Sequence, residues 1–243
     1  MSDPRVGIVG DETLSAAVER AGATPLVTSA DDIESTVATV AVGRTALLEI
    51  AEYGSDPSTP VVPVDVDRGV QSVPRESVES ALESVLSGAF STRRHPVLVA
   101  ATPRGEVRAL FDVFFVAAEP ARISEFAVDC GDDAVARFRS DGVVVSTPAG
   151  SVGYNRAADG PVLAPGTDVL AVVPVAPFAI DCDDWVVPGD DVTVTVARDE
   201  PAVELLADGH HAAELGADEP VSLSTAETVV TAVVDESDPF FRA

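Results

Sequence analysis

Short apolar runs alternate with helical patterns through the first third of the chain. The apolar runs at residues 6–9, 25–28, 36–42 and 61–66 predict four strands. Helical spacing of apolar residues follows the first run through Leu14 and Val18, and recurs over residues 46–53 and 76–86. A glycine stands at the end of each helical pattern, as is common at helix C-termini. Strands separated by helices of this length predict a parallel sheet with crossover helices.

Beyond residue 96 the periodicity changes to that of strands. Short valine-rich runs recur with little helical spacing, and turn signals such as Asp141-Gly142 and Pro188-Gly189-Asp190 separate them. The runs lie at 97–100, 107–116, 123–128, 143–145, 169–173, 192–196, 203–206, 221–223 and 229–234. We therefore predict an α+β chain of two domains: a small α/β, nucleotide-binding-like domain over residues 1–92 and a β-sandwich domain over residues 93–227.

The charge of the chain excludes several classes of partner. It carries 41 acidic and 15 basic residues for a formal net charge of −26, and every basic residue is an arginine. A field of this sign repels phosphate backbones and anionic lipid, so we expect neither nucleic acid nor membrane as a partner. Because 46% of the residues are hydrophobic, the chain is expected to fold. An acidic, lysine-free composition indicates adaptation to a saline cytosol.

Targeting and metal signals are weak. The first residues lack the basic flank and apolar stretch of a signal peptide, and the longest apolar run, residues 169–180, contains two prolines. We therefore expect a cytoplasmic protein. Cys130 and Cys182 form no metal-ligand pattern, so no metal site is predicted for them, and their redox state stays open.

One segment has the composition of a ligand-binding turn. Residues 141–154 read DGVVVSTPAGSVGY: a valine strand that ends in small hydroxyl residues, proline and glycine, and then a tyrosine. Such a turn offers open backbone N–H groups and hydroxyls to phosphate or ribose oxygens. A helix beginning near Tyr154 would add a favourable dipole for an anion. The same composition is also typical of a plain connection after a strand, so both interpretations stand.

The segment resembles the DGxxVSTPTGSTAY signature of NAD kinases. Later stretches resemble further motifs of that family in the same order: residues 159–163 its GGPIL, 173–178 its VPMFPH, 186–190 its VVPGD and 208–210 its DGQ. The resemblance implies the family fold, an α/β domain and a β-sandwich, with a C-terminal tail over residues 228–243 that returns to the first domain. It also implies NAD or NADP bound between the domains, and assembly into dimers or tetramers.

The family reaction is transfer of a phosphoryl group, from ATP or polyphosphate, to the 2′-hydroxyl of NAD, which gives NADP. An active member would therefore use ATP and magnesium. Carried over by motif, the cofactor-binding residues would be Asp112, Asp141, Ser146, Thr147, Gly150, Ser151, Tyr154 and Asp208. Asp112 matches the carboxylate of the family's ALNE or ALND motif, whereas Phe111 replaces its asparagine.

The family's GGDGT motif, with its catalytic aspartate, has no counterpart in this sequence. Val42-Gly43-Arg44-Thr45 stands there instead. Arg44, at a helix N-terminus, would either bind a phosphate group or be an exposed surface charge. Asp65 and Asp67 are the remaining catalytic candidates, since they could orient the hydroxyl or bind a metal; in so acidic a chain they could equally be surface carboxylates.

Three functions therefore remain open at the level of sequence. The chain is an active, divergent NAD kinase, or a catalytically inactive dinucleotide-binding sensor or partner subunit, or a member of the fold in which nucleotide binding has lapsed. Loss of a catalytic carboxylate typically costs roughly 10²–10⁴-fold in rate. The catalytic residues are accordingly left unassigned.

The charge predicts a stability that rises steeply with salt, because salt screens the repulsion among the acidic side chains. Thermal melts in dilute buffer and in molar potassium chloride measure this directly, and we expect the higher melting temperature in molar salt. An identical melting temperature in the two buffers would contradict salt adaptation.

Overall fold

The fold was analysed in a computed structural model that describes residues 3–33, 35–54, 56, 58–119, 122–198 and 202–241. The chain divides into two compact units. The first unit comprises Met1–His95 and Thr228–Ala243, and the second comprises Pro96–Glu227.

Helices alternate with strands in the first part of the chain, and strands dominate the rest, as the change in periodicity predicts. The helices are α1 (Ser15–Arg20), α2 (Gly43–Tyr53), α3 (Val78–Ser87) and α4 (Tyr154–Ala157). The strands are β1 (Arg5–Val9), β2 (Thr24–Val27), β3 (Ala38–Val42), β4 (Val61–Val64), β5 (Ser91–Thr102), β6 (Gly105–Ala109), β7 (Asp112–Ala117), β8 (Ser124–Cys130), β9 (Asp133–Ser140), β10 (Gly142–Ser146), β11 (Val169–Val175), β12 (Trp185–Pro188), β13 (Val192–Val196), β14 (Val203–Ala207), β15 (His210–Leu215) and β16 (Pro220–Val233).

The first unit is built on a parallel sheet. Its strands pair in the order β2-β1-β3-β4, and the end of β16 continues the sheet beside β4, with Thr231 opposite Val61. Alternate residues such as Ile8, Val40 and Val62 share one buried cluster with the apolar sides of α1 and α3. This is the α/β arrangement that the alternating strand and helix signals predict.

The second unit contains two antiparallel sheets around a shared core. One sheet has the order β12-β11-β10-β7-β14-β15, and the other includes β13, β8 and β9 in sequence. Phe115 and Val143 of the first sheet join Phe126 and Val194 of the other in one buried cluster. The predicted fold class, an α/β domain followed by a β-sandwich, is confirmed.

The observed strands differ from the predicted ones in two ways: some exposed strands were not predicted, and some predicted runs are divided or joined. Strands β9, β12 and β15 were not predicted, since each lies at an edge of its sheet and exposes much of its length. The run 107–116 is divided into β6 and β7 by a bend at the buried Leu110 and Phe111, whereas 221–223 and 229–234 belong to one long strand, β16.

The C-terminal segment, which belongs to the first unit, lies beside the end of β4. The main-chain N–H of Asp238 donates to the Ser72 carbonyl (2.8 Å), and Arg68 donates to the Phe240 carbonyl (3.4 Å). The Phe240 side chain is buried. Arg242, the last residue of the motif that predicted this tail, lies outside the described residues.

Cys130 and Cys182 are both free thiols. In the portion of the chain described above, every helix falls short of the length and hydrophobicity that a membrane span requires.

His95 is a buried titratable group of the first unit. Its ring is 2% exposed, and Nε2 lies 3.0 Å from the Thr231 hydroxyl. Loss of hydration on burial, followed by the charge of Arg93, lowers the pKa of His95 from 6.5 to about 4. The folded protein therefore holds this imidazole neutral where an unfolded chain would protonate it.

Acid should destabilise the protein through His95. Between the two pKa values the unfolded chain binds a proton that the folded chain excludes. With respect to His95, the free energy of unfolding is therefore highest above pH 6.5, and it falls as the pH drops towards 4. The fall from about pH 7 to about pH 4.5 should include about 2.5 kcal/mol from this residue. Urea unfolding at both pH values and constant salt should show that His95→Gln loses this part of the fall, whereas His211→Gln, an exposed control, retains it. An equal fall in His95→Gln and the wild type would contradict the assignment.

Candidate functional site

The turn that follows β10 is tied to the bend between β6 and β7. The main-chain N–H of Thr147 donates to the carbonyl of Phe111 (2.9 Å), and the Thr147 hydroxyl donates to the carbonyl of Leu110 (2.7 Å). These bonds extend the pairing of β10 with β7, in which Ser146 lies opposite Asp112. The residues of two separate sequence motifs, around Asp112 and around Thr147, are thereby brought together.

Gly150 allows the turn to lie directly on this bend. A β-carbon at position 150 would collide with the carbonyl oxygen and backbone of Phe111, so only glycine fits. The Gly150 N–H donates to the Thr147 hydroxyl (3.3 Å), the Ser151 N–H to the Thr147 carbonyl (2.9 Å) and the Gly153 N–H to the Gly150 carbonyl (2.9 Å). The prediction that this turn offers open amides is therefore wrong for Thr147, Gly150, Ser151 and Gly153, because these amides bond within the chain.

The hydroxyl groups of the turn are buried as well. Ser146, Thr147 and Ser151 are each fully buried. The Ser151 hydroxyl donates to the Pro148 carbonyl (2.7 Å) and accepts from the Leu163 N–H (3.0 Å). For the Ser146 hydroxyl, the described residues provide no hydrogen-bond partner. The hydroxyls of Thr147 and Ser151 therefore hold the turn in place, and none of the three residues presents a hydroxyl at the surface of the unit.

Asp208 anchors the same bend from the turn between β14 and β15. Its carboxylate accepts hydrogen bonds from the main-chain N–H groups of Leu110 (2.8 Å), Phe111 (2.8 Å) and Asp112 (3.2 Å). Its backbone lies in the left-handed region, with φ of 51°, which aspartate adopts more readily than most residues. As placed, the carboxylate of Asp208 fixes the backbone that carries Asp112.

Among the predicted residues of this turn and bend, Tyr154 is exposed, and the carboxylate beside it, that of Asp112, is buried. The Tyr154 side chain, at the start of α4, is 45% exposed, and its ring packs against Phe114 with 5.1 Å between ring centroids. Partial burial and then the negative charge of Asp112 raise the pKa of the Tyr154 hydroxyl. An aromatic face can stack on a planar ring, and a carboxylate next to it can accept a hydrogen bond from a sugar hydroxyl.

The α4 helix begins at Tyr154 as predicted, but it has only four residues. The dipole of so short a helix is small, and the anion-binding role expected of its N-terminus is not supported.

Asp141 lies at the other end of β10 from the turn. Its N–H donates to the Val175 carbonyl (3.0 Å), and its carbonyl accepts from the Ala117 N–H (3.0 Å). The five residues of β10 separate it from Thr147, a distance of about 20 Å along the strand. Within the unit, the structure therefore does not bring Asp141 together with Asp112 and Tyr154, and its role in binding stays a prediction.

Arg44, Asp65 and Asp67 belong to the first unit, where each forms an ion pair. The Arg44 guanidinium lies 2.6 Å from the Asp67 carboxylate. Both carboxylate oxygens of Asp65 accept hydrogen bonds from Arg75, one from its main-chain N–H (3.1 Å) and one from Nε (3.0 Å). The described residues include no group of three or more potential metal ligands. Asp65 and Asp67 thus do not fit the magnesium site that the family reaction suggests.

Comparison with known proteins decides the family. The family model for the ATP-NAD kinase C-terminal domain matches residues 111–234, about half of the chain. The chain belongs to the ATP-NAD kinase family. The match includes the bend at Phe111, the turn after β10 and Asp208, whereas Arg44, Asp65 and Asp67 lie outside it.

Curated NAD kinases share sequence with this family member over part of its length. The NAD kinase of Methanosarcina barkeri is 32% identical over 151 residues, which are 62% of this chain and 54% of the relative. That of Acidobacterium capsulatum is 41% identical over 111 residues, 45% of this chain and 39% of the relative. The chain thus spans about half the length of the curated relatives that it matches.

Solved structures share the fold over nearly the whole chain. An NAD kinase from Archaeoglobus fulgidus, solved in complex with ATP, has a TM-score of 0.77 at 22% identity, covering 96% of this chain and 94% of its own. Yeast NADH kinase, solved with NADH, also has a TM-score of 0.77, at 14% identity, covering 97% of this chain and 85% of its own. At these identities the likeness shows the fold alone.

Sequence reasoning missed two residues of this ATP-NAD kinase family site. Phe114 supports the Tyr154 ring, and its position two residues after Asp112 on the same strand could have placed both on one face. Asn155 is fully buried and donates from Nδ2 to the carbonyls of Ser151 (3.1 Å) and Pro161 (2.8 Å). No spacing in the sequence indicates this role of Asn155, because both hydrogen-bond partners of its side chain are main-chain carbonyls.

Proposed function

We propose that this chain binds NAD or NADP, with Tyr154 and Asp112 as the principal contacts in the second unit. The observation that carries the proposal is the exposed Tyr154 ring beside the Asp112 carboxylate, within the stretch that matches the ATP-NAD kinase family. The relatives support it, since the curated ones are NAD kinases and the yeast structure holds NADH.

In this proposal the two side chains divide the recognition between them. The Tyr154 ring stacks on a planar ring of the dinucleotide, and the Asp112 carboxylate accepts a hydrogen bond from a ribose hydroxyl, a role that carboxylates commonly have in dinucleotide sites. Thr147, Gly150 and Asp208 act behind them, because they hold the backbone on which Asp112 lies. The remaining predicted contacts, Asp141, Ser146, Ser151 and Arg44, belong to the proposal as predictions.

For the reaction, we propose phosphoryl transfer from ATP to the 2′-hydroxyl of NAD, with the chain acting as a homo-oligomer, a dimer or tetramer, in the cytoplasm. The second candidate is a catalytically inactive dinucleotide-binding sensor or partner subunit. A specific observation favours this second candidate: the two carboxylates left to replace the missing aspartate, Asp65 and Asp67, are already engaged by arginines. No catalytic step is assigned to a metal ion, because these residues do not fit one.

Removal of the Tyr154 ring should weaken binding of NAD and NADP. Stacking of an aromatic side chain on a base contributes about 1–3 kcal/mol, so we expect Tyr154→Ala to raise the dissociation constant by about 5- to 150-fold. Isothermal titration calorimetry in molar potassium chloride measures the constant. Tyr53→Ala removes the other tyrosine, an exposed residue of α2, and should leave binding unchanged.

The outcomes separate the candidate functions. Binding that is weakened by Tyr154→Ala and Asp112→Asn, without formation of NADP from NAD and ATP in a coupled assay, supports the sensor or partner subunit. If the wild type forms NADP and either Asp65→Asn or Asp67→Asn abolishes that activity, the kinase is supported. If the wild type binds neither NAD nor NADP in molar salt, the proposed function is wrong.

A further inference from the structure

Charged side chains meet at the carboxyl ends of the parallel strands in the first unit. In the order β2-β1-β3-β4, the chain leaves β1 and β3 towards opposite edges of the sheet, so the carboxyl ends of these strands form the crevice where open α/β sheets hold ligands. Asp11 follows β1, Arg44 follows β3 and Asp65 follows β4. Carboxylates gathered at such an edge are the usual ligands of magnesium in nucleotide-binding proteins.

Arg75 occupies the position between two of these carboxylates. Its Nη1 lies 2.8 Å from Asp11 Oδ2, and its Nε lies 3.0 Å from Asp65 Oδ2. The main-chain N–H of Arg75 donates to Asp65 Oδ1 (3.1 Å), and that of Thr13 donates to Asp11 Oδ1 (2.9 Å). All four carboxylate oxygens of the pair therefore accept a hydrogen bond, and the guanidinium bridges the two groups.

A second ion pair adds to the compensation of charge at this edge. Arg44 lies 2.6 Å from Asp67 Oδ2, on the side of β3 and β4. For a divalent cation to bind here, it would have to displace a guanidinium and break charge-assisted hydrogen bonds, while losing its own tightly held water. Each of these changes costs free energy, and two guanidinium groups already provide positive charge beside the three carboxylates.

We infer that arginine side chains take the place of a divalent cation at this edge: Arg75 bridges Asp11 and Asp65, Arg44 neutralises Asp67, and the edge binds no magnesium. Hydrogen bonds from Thr13 and then from Arg75 lower the pKa of Asp11 to about 2, which keeps its carboxylate ionised and paired through the neutral range. The inference concerns the first unit alone and does not depend on nucleotide binding by Tyr154 and Asp112.

Manganese titration followed by electron paramagnetic resonance tests the inference, since Mn²⁺ takes the same oxygen ligands as Mg²⁺ and its free and bound forms are distinguishable. Molar potassium chloride suppresses weak binding to the many surface carboxylates. Arg75→Met keeps the aliphatic stem but frees Asp11 and Asp65, so this variant should bind one more Mn²⁺ per chain than the wild type. Arg20→Met has the same change of charge and frees only Glu79, so it should gain none.

The assignment of the extra ion is checked in the double variant. Arg75→Met with Asp65→Asn should lose the additional Mn²⁺, and Asp65→Asn alone should bind as many ions as the wild type, which confirms that Asp65 holds no metal in the native chain. Loss of a bound Mn²⁺ when Asp65 or Asp67 of the wild type is replaced by asparagine would overturn the inference. So would an Arg75→Met variant that keeps the native circular dichroism spectrum and gains no ion. The comparison of Asp65→Asn with the wild type remains decisive if Arg75→Met does not fold.

Discussion

The site of the second unit depends on the close contact between the turn after β10 and the bend at Phe111. The Phe111 carbonyl accepts from the Thr147 N–H, and Gly150 lies against the same backbone with no space for a side chain. Asp208, in the turn between β14 and β15, also holds the bend, through three main-chain N–H groups. Hydrogen bonds to an ionised acceptor are stronger than those between neutral groups, so this arrangement fixes the backbone of Asp112 firmly.

That contact also determines which groups are left for a ligand. The amides of Thr147, Gly150, Ser151 and Gly153 are engaged within the chain and so are not free to donate to a phosphate group, and the hydroxyls of Thr147 and Ser151 support the turn. The Tyr154 ring remains exposed, whereas Asp112 beside it is buried, with 8% of the residue exposed. In the first unit, Arg44 is likewise engaged within the chain, where its guanidinium pairs with the Asp67 carboxylate.

Hydrophobic periodicity predicted the fold well because both units bury most of their apolar strands. It failed at β9 and β15, whose largely exposed residues carry no strong alternation, and at the bend of Leu110 and Phe111, where apolar residues continue through a change of direction. The motif residues of the site were predictable by resemblance, whereas their roles were not. Whether the Thr147 N–H faces a ligand or the Phe111 carbonyl depends on tertiary contacts between segments far apart in the sequence.

Amide hydrogen exchange, followed residue by residue by nuclear magnetic resonance in molar salt, tests this account most directly. If the turn is held by its own hydrogen bonds, the amides of Thr147, Gly150, Ser151 and Gly153 exchange slowly in the unliganded protein, and NAD changes their rates little. Rapid exchange of these four amides without ligand, followed by strong protection when NAD is added, would show that they bind the dinucleotide themselves and would contradict the account.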